Sequence, residues 1–248
     1  MRNICFYFQI HQPLRLKRYR FFEIGQDHYY YDDFQTEDRI RTLVEQSYLT
    51  ANRTISEMIR SSNGKFKCAF SISGVALEQL EQYAPEVIDS FKELANTGSV
   101  EFLGETYAHS LSSIYDTNEF ESQIKAHADK IESLFGHRPT AFRNSELIYS
   151  DEIGEIISKA GFKVMLIDEA KHILGWKSPN FVYNHSYISK FKLLIRNQKL
   201  SDDISFRFSH NNWHDYPLTA EKFIGWLAAM PENEKIVNLW MSYESFGL

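Results

Sequence analysis

The hydrophobic and polar positions of this chain alternate between short apolar runs and longer stripes at helical spacing. Short runs bounded by polar residues or glycine are typical of buried strands. Stripes that repeat every three or four residues predict amphipathic helices. The predicted strands are residues 3–10, 66–73, 99–103, 140–143, 163–167, 192–196, 204–208 and 236–241. The predicted helices are residues 40–59, 85–97, 120–135, 150–160 and 219–230.

The predicted strands and helices follow one another in βα order along most of the chain. This order is typical of parallel strands connected by helices that pack on the sheet. Residues 168–216 are the least regular part, and we expect an insertion or a long loop there. Because no linker, low-complexity tract or internal repeat interrupts the pattern, we predict a single domain over residues 1–248. About seven strands in this order fit a closed or nearly closed barrel as well as an open doubly wound sheet.

The composition is that of a globular protein with a large core. The 248 residues are 43% hydrophobic and 15% aromatic, which disfavours disorder. The formal net charge of −6 argues against a nucleic-acid partner or a membrane-surface site. No apolar run approaches the roughly 20 residues needed to cross a bilayer, and no secretion signal is visible. With Cys5 and Cys68 in apolar, strand-like segments, we expect a cytoplasmic protein, and oligomerisation stays open.

Polar and ionisable residues follow the predicted strands, and parallel sheets carry their active sites at the carboxyl ends of the strands. These residues are His11 and Gln12 after the first strand, Glu105 and His109 after the third, Asn144 and Glu146 after the fourth, Asp168 and Glu169 after the fifth, and Ser242 and Glu244 after the last. Polar and ionisable side chains grouped at strand ends are typical of a sugar-binding site, because carboxylates and other polar groups bind sugar hydroxyls. The chain has no dinucleotide-binding, phosphate-loop, serine-elbow or Cys-x-x-Cys motif, and no recognised metal-ligand spacing. We therefore expect neither a cofactor nor a metal.

Four segments that include these residues lie in a fixed order along the chain. They are residues 8–13 (FQIHQP), 102–110 (FLGETYAHS), 142–151 (FRNSELIYSD) and 239–247 (LWMSYESFG). In this order they resemble the motifs of glycoside hydrolase family 57, the α-amylase and 4-α-glucanotransferase family, and most closely its bacterial α-amylase-type members. A single such segment arises by chance, whereas four in order at strand ends are specific.

The resemblance implies a (β/α)7 barrel that hydrolyses or transglycosylates α-1,4-glucans with retention of configuration and without a cofactor. A retaining glycosidase needs one carboxylate that attacks the anomeric carbon and a second carboxyl about 5–5.5 Å away that acts as acid and then as base. Glu146 matches the nucleophile of the family. The expected substrate-binding residues are His11, Gln12, Glu105, His109, Asn144, Glu244 and Trp213.

Two features depart from the family pattern. Ser242 stands where the family has its acid/base Asp. A serine hydroxyl cannot protonate a leaving oxygen as a carboxylic acid does, so we expect a loss of about 10²–10⁴-fold in rate. The candidates for a substitute carboxyl are Glu244, Asp202, Asp203 and Asp215. The chain also ends at Leu248, before the helical region of family members, and we expect a shortened protein without that region.

Other interpretations stay open at this point. The chain is alternatively a non-catalytic α-glucan-binding relative, a fragment, or a polysaccharide deacetylase, a class that uses a similar barrel with a metal. For Glu146 the alternative is a carboxylate that caps the helix beginning near Ser150. Phe21 and Phe22 are expected in the core, whereas the tyrosines at residues 29–31 are candidates for stacking on a sugar.

Overall fold

The computed structural model of the protein describes residues 2–26 and 28–247. Its strands are β1 (Asn3–Ile10), β2 (Cys68–Ile72), β3 (Val100–Phe102), β4 (Ala141–Arg143), β5 (Val164–Ile167), β6 (Val182–Asn184), β7 (Lys192–Ile195) and β8 (Ile236–Ser242). Its helices are α1 (Asp33–Leu43), α2 (Leu49–Ser61), α3 (Gly74–Tyr83), α4 (Pro85–Asn96), α5 (Thr117–Phe135), α6 (Asp151–Lys159), α7 (Lys171–Leu174), α8 (Gln198–Asp202), α9 (Ala220–Ala228) and α10 (Tyr243–Gly247). Within these described ranges, no helix combines the length and the apolar character that crossing a membrane requires.

Seven parallel strands form a barrel. Hydrogen bonds arrange the strands in two sheets, with the orders β3-β2-β1-β8 and β4-β5-β7-β6. Two parallel bridges join these sheets, because Gly104 pairs with Phe142 after β3 and Arg196 pairs with Asn238 after β7. We call these two junctions the seams of the barrel. At the first seam, between β3 and β4, the Arg143 amide donates to the Gly104 carbonyl at 2.8 Å. The expected (β/α)7 barrel is therefore confirmed, and it closes at two narrow seams.

β6 lies in the region that the sequence predicts to be an insertion. It runs antiparallel to β7 and pairs with residues 192–194. Because β6 occupies this part of the β7 edge, β8 meets β7 only beyond it, at Arg196. The second seam is thus restricted to the carboxyl end of the barrel, next to the strand ends that carry the candidate site.

A cluster of buried side chains from the strands and from the residues that follow them fills the inside of the barrel. It consists of Tyr7, Ala69, Leu103, Ala141, Leu147, Leu166 and Trp240. Successive residues of a strand point to opposite faces, so neighbours such as Phe8 and Phe70 point outwards, into the larger core beneath the helices. Strands buried on both faces have nearly continuous apolar sequences, which is why the apolar runs predicted them.

The helices agree with the predicted stripes, with two differences. Ser150 caps α6, and Thr219 caps α9, by accepting a hydrogen bond from a backbone amide of the first turn. The cap of α6 is therefore Ser150 itself and not Glu146. The helix predicted at residues 40–59 begins earlier, at its cap Asp32, and a π-helical turn at Val44–Tyr48 separates α1 from α2. The stripes predict neither α3 nor the short helices α7, α8 and α10.

The strand predicted at residues 204–208 is wrong. Asp203–Arg207 forms a π-helical turn that continues α8. Apolar and polar residues alternate there as in a strand, but the segment is helical and carries ion pairs at helical spacing. The buried Asp203 carboxylate accepts from Lys199 Nζ at 3.1 Å and from Arg207 Nη1 at 2.5 Å. Each partner lies four residues from Asp203, a spacing that a helix brings together.

Candidate active site

An open cleft of about 390 Å³ lies at the carboxyl end of the barrel. The residues that line it include Glu146, Ser242, Asp168, Asp202, Arg143 and Arg196. These residues come from the ends of β4, β5, β7 and β8 and from α8. The fold thus brings Glu146 and Ser242, the two catalytic positions that the resemblance implies, into one cleft.

Glu146 projects from a strained turn directly after β4. Its φ of 53° and the φ of 56° at Leu147 lie in the left-handed region, which costs a residue with a Cβ atom roughly 1–2 kcal/mol. Asn144 holds the turn, since its Oδ1 accepts from the Ser145 amide at 2.9 Å and its Nδ2 donates to the Ile148 carbonyl at 3.0 Å. Asn144 is fully buried, whereas the Glu146 side chain is 70% exposed. The turn presents Glu146 to the cleft and encloses Asn144, which was expected to bind substrate.

His109 is the hydrogen-bond partner of Glu146. His109 Nε2 lies 3.1 Å from Glu146 Oε1. On the other side of the ring, His109 Nδ1 lies 3.3 Å from Glu105 Oε2 and 3.1 Å from Arg143 Nη1. The φ of His109 is also positive, at 54°. Of the four non-glycine residues with positive φ in the described chain, three are therefore His109, Glu146 and Leu147. Strained backbone of this kind clusters at functional sites.

A buried ion pair supports His109. Glu105 and Arg143 are fully buried, and Glu105 Oε2 lies 3.3 Å from Arg143 Nη1. Ser71 Oγ donates to Glu105 Oε1 at 2.8 Å, and the Glu105 amide donates to His127 Nδ1 at 3.3 Å. Burial raises the pKa of the Glu105 carboxyl, but the contact with His109 and the charge of Arg143 outweigh it and hold the pKa below its usual value. Glu105 is not among the residues that line the cleft, and its contacts show it supporting His109, while its contact with substrate stays a prediction.

His11 stacks on His109 at the end of β1. The two ring centroids are 4.2 Å apart and the ring planes differ by 20°. His11 Nδ1 lies 2.8 Å from Ser73 Oγ. Burial, together with the neighbouring His109, lowers the pKa of His11 from 6.5 to about 4, so its imidazole is neutral near pH 7. The structure thus brings together the two histidines that the resemblance assigns to one site.

Ser242 ends β8, where it pairs with Gln9 of β1, and it brings a hydroxyl to the cleft. Besides Glu146, two carboxylates share the cleft with it, those of Asp168 and Asp202. Asp168 Oδ1 lies 3.5 Å from Arg196 Nη1, and Arg196 Nη2 donates to Asp202 Oδ1. Asp202 is one of the candidates for a substitute carboxyl. Arg196 was not among the expected site residues, because its only signal in the sequence is its position at the end of an apolar run.

None of the seven expected substrate-binding residues is among those that line the cleft, and Glu244, Gln12 and Trp213 have partners elsewhere. Glu244 does not continue β8, because the chain turns into α10, and its carboxylate accepts a hydrogen bond from Gln12 Nε2. Gln12 is buried, and its carbonyl accepts from Gln79 Nε2 of α3 at 2.6 Å. Trp213 packs against Trp226 of α9, with ring centroids 6.1 Å apart. Gln12 thus connects the end of β1 with α3 and α10, and Trp213 packs its loop against α9.

The remaining candidates for a substitute carboxyl are engaged elsewhere. Asp203 is enclosed by the two ion pairs of its π-helical turn. Asp215 Oδ2 lies 2.8 Å from His214 Nε2, and its Oδ1 lies 3.8 Å from Lys222 Nζ. Neither carboxylate lines the cleft. Within residues 2–26 and 28–247, no group of three or more His, Cys, Asp or Glu side chains is arranged to hold a metal ion.

The aromatic loop after β1 differs from the expectation. Phe21 is 79% exposed and Phe22 is 82% exposed, so the prediction that they belong to the core is wrong. A single antiparallel bridge between Leu16 and Tyr31 holds the two ends of this loop together, and the phenylalanines lie at its tip. The tyrosines at residues 29–31 are partly exposed, which leaves their stacking on a sugar a prediction.

The fold and the cleft define a class of protein, a seven-stranded parallel barrel that presents a carboxylate at a strand end. The family described as Glycosyl hydrolase family 57 matches residues 5–248, and the chain belongs to this family. A protein of Methanocaldococcus jannaschii described as "Putative alpha-amylase" is 40% identical in an alignment of 250 positions that covers 98% of this chain and 51% of that protein. The chain therefore spans about half the length of this relative.

Solved structures share the fold. The 4-alpha-glucanotransferase from Thermococcus litoralis matches with a TM-score of 0.74 at 18% identity, over 100% of this chain and 34% of that one. A GH57 branching enzyme from Thermococcus kodakaraensis matches with a TM-score of 0.70 at 12% identity, over 99% of this chain and 65% of that one. The barrel of this chain thus has the architecture of these two enzymes.

Proposed function

We propose that this chain acts on α-glucans as a retaining enzyme in which Glu146 is the nucleophile. The observation that carries the proposal is the placement of Glu146, an exposed carboxylate in the cleft whose Oε1 is held by His109 at 3.1 Å. Membership of family 57 supports this role, because Glu146 matches the nucleophile of that family. The described activities of the relatives, an amylase, a glucanotransferase and a branching enzyme, support α-glucans as the substrate class.

The reaction has two steps in this proposal. In the first step, a Glu146 oxygen attacks the anomeric carbon of a glucosyl residue, the glycosidic bond breaks, and the leaving oxygen takes up a proton from water. In the second step, water or a sugar hydroxyl attacks the glycosyl-enzyme and releases Glu146. Water gives hydrolysis, and a sugar hydroxyl gives transglycosylation. Because His109 engages Oε1, Oε2 of Glu146 is the attacking oxygen.

This site lacks a good acid to donate a proton to the leaving oxygen. Ser242 occupies the acid/base position of the family, and its hydroxyl is too weak an acid to supply that proton. The loss of general acid catalysis typically costs about 10²–10⁴-fold in rate. We therefore propose that the first step is slow on ordinary glucans and much faster on a glucosyl donor, such as α-maltosyl fluoride, whose leaving group needs no proton.

Product release by the purified chain tests the proposal. We expect slow release from maltooligosaccharides and fast release from α-maltosyl fluoride, both abolished by Glu146→Gln. The matched control is Glu93→Gln, which removes an exposed carboxylate from α4 and leaves both rates unchanged. Equal rates for the Glu146→Gln variant and the unaltered chain would show that Glu146 is not the nucleophile.

A second candidate is a non-catalytic α-glucan-binding protein, and the hydroxyl of Ser242 at the acid/base position favours it. This candidate predicts that maltooligosaccharides bind without turnover, and that the fluoride donor is also stable. Calorimetric titration of maltooligosaccharides, run with the two rate assays, distinguishes the candidates. Binding with no product from either donor supports the binding protein, whereas turnover of the fluoride supports the enzyme.

A further inference from the structure

We propose that Phe206, together with the carboxylates of Asp168 and Asp202, forms a subsite that binds one glucosyl residue of the substrate beside Glu146. We call it the Phe206 subsite. It rests on the proposed function, which supplies the α-glucan. None of its three residues belongs to the substrate-binding residues that the sequence leads us to expect.

Phe206 is an exposed aromatic side chain of the cleft. It lines the cleft, and it is 67% exposed. Trp240 lines the cleft as well, but it is buried, and the Arg143 guanidinium lies over its ring, 4.9 Å from the centroid. A glucosyl ring has an apolar face of C–H groups and a rim of hydroxyls, so it packs on an aromatic surface. Phe206 offers such a surface to the cleft.

Helical spacing places Phe206 in the cleft. Gln198, Asp202 and Phe206 follow one another at intervals of four residues along α8 and the π-helical turn Asp203–Arg207. Residues at this interval share one face of a helix. All three line the cleft, so this face forms one of its walls. The wall therefore combines an aromatic ring with polar groups, as sugar sites do.

Hydrogen bonds to β8 hold this wall against the barrel. Asn197 caps α8, and its amide donates to the Asn238 carbonyl at 2.8 Å. The buried Ser201 Oγ accepts from the Trp240 amide at 3.1 Å. The segment that carries Phe206 is thus anchored at its beginning and one turn further on. A side chain on an anchored element loses less freedom on binding than one on a loose loop.

Arg196 orients the two carboxylates of the subsite. Its Nη1 lies 3.5 Å from Asp168 Oδ1, and its Nη2 donates to Asp202 Oδ1. Each carboxylate contacts the guanidinium through Oδ1, which leaves Oδ2 to accept a hydrogen bond from a sugar hydroxyl. The Arg196 side chain is only 14% exposed, so its surroundings fix the guanidinium. The carboxylates are therefore oriented before a sugar binds.

The strand order puts the subsite between the two catalytic positions. Around the barrel, β4 is followed by β5, β7 and β8. Glu146 follows β4 and Ser242 ends β8. Asp168 follows β5 and Arg196 follows β7, so both stand between them. Because neighbouring strands are about 4.8 Å apart, a glucosyl residue at the end of β5 lies next to Glu146.

The charges of the cleft favour a neutral sugar. One guanidinium faces the two carboxylates of the subsite, and Glu146 adds a third negative charge. The charge of Arg143 is paired with that of the buried Glu105. A phosphorylated sugar would be repelled by this net negative charge, whereas hydroxyls donate to carboxylates. The ligand that fits the subsite is therefore an unphosphorylated glucan.

Calorimetric titration with maltopentaose tests the subsite. Every chain in this titration carries Glu146→Gln, so that the ligand stays intact. We expect Phe206→Ala to weaken binding about 10-fold, the usual cost of a lost aromatic contact, and Phe206→Trp to retain it. The matched control is Phe208→Ala, which removes a 57% exposed ring that does not line the cleft and leaves the affinity unchanged. Circular dichroism checks that each variant folds.

Turnover of maltopentaose by the chain with Glu146 intact separates binding from catalysis at Asp168. We expect Asp168→Asn to raise KM about 10-fold with kcat nearly unchanged, because an interaction made equally in the ground state and the transition state affects only KM. Asp89→Asn removes an exposed carboxylate that pairs with Lys92 on α4, and it changes neither value. A lower kcat at unchanged KM would overturn the binding role of Asp168.

The titration also separates the subsite from the proposed function. Equal affinity of Phe206→Ala and its parent, an equal loss in Phe208→Ala, or no binding of maltopentaose overturns the subsite. If maltopentaose binds but the chain turns over no glucosyl donor, the proposed nucleophile fails. The affinities of Phe206→Ala and Asp168→Asn then still decide the subsite, with the same 10-fold losses expected.

Discussion

His109 and Glu146 face each other across 3.1 Å, and both residues hold their backbone in the left-handed region. The strain is therefore located on the two residues that form the proposed nucleophile and its hydrogen-bond partner. The surrounding structure holds this left-handed backbone in place, here through the buried Asn144 and the ion pair of Glu105 and Arg143. The site thus combines a rigid, buried support with an exposed, strained carboxylate.

Substitutions at Glu146 reveal this strain. Glu146→Gly and Glu146→Ala remove the same carboxylate, but only glycine adopts a φ of 53° without a steric cost. We expect the glycine variant to be more stable than the alanine variant by about 1 kcal/mol in urea unfolding. The same pair at Lys125, exposed in the middle of α5, gives the reverse order, because glycine weakens a helix by roughly 1 kcal/mol. A more stable alanine at position 146 would show that the turn is not strained.

Ser242→Asp restores the carboxyl that the family has at this position. If the rest of the site is assembled, we expect turnover of maltooligosaccharides to rise at least about 10²-fold, the usual contribution of general acid catalysis. The rate on α-maltosyl fluoride changes much less, since its leaving group needs no proton. Ser245→Asp also places a carboxylate in the cleft and serves as the control without a gain. Equal gains at both positions would contradict a specific acid/base role.

The stability of the fold depends on pH through His11. Its pKa is about 4 in the folded chain against 6.5 for a free histidine, so the unfolded chain binds more protons between these values. The contribution of His11 is therefore fully present above about pH 6.5 and is lost as the pH falls from 6.5 to about 4. We expect His11→Gln to unfold with a weaker pH dependence in this window, measured by urea unfolding at several pH values. His137→Gln, at an exposed position, keeps the full dependence, and a parallel loss in both variants would count against His11.

The first seam of the barrel requires a glycine. A Cβ atom at Gly104 would lie 2.5 Å from the Phe162 ring, so Gly104→Ala must displace that ring or open the seam. We expect a loss of about 1–3 kcal/mol in the free energy of unfolding, typical of an overpacked core. Gly225→Ala in α9 meets nothing within 4 Å and is the matched control, with an expected gain of about 0.5–1 kcal/mol. If Gly104→Ala is as stable as the parent, the seam is looser than its contacts indicate.

The sequence predicts well what depends on local pattern. β1 was predicted with its exact bounds, and α6 was predicted with its cap, because apolar runs and caps are encoded in neighbouring residues. The position of Glu146 at a strand end could likewise be read from the chain. Its left-handed turn could not, because residues other than glycine are uncommon there and the turn depends on the buried amide of Asn144.

What the sequence could not supply are contacts between distant elements. Arg143 and Glu105 belong to different strand ends, and their pairing follows only from the meeting of β3 and β4 at the seam. The position of Glu244 two residues after Ser242 made it a candidate for the substitute carboxyl. In the structure the chain turns into α10, and Gln12 takes up the carboxylate. Both cases depend on where the barrel closes, which is not a local property.

The two narrow seams also divide the barrel into cooperative units. Where strands share long ladders, backbone amides exchange with solvent only when the whole fold opens, whereas a junction made by a single bridge opens at lower free energy. The Arg143 amide belongs to such a junction, while its guanidinium contacts His109. Each transient separation of the two sheets therefore releases the contact of Arg143 with His109, so hydrogen exchange at this amide reports how often the support of Glu146 is lost.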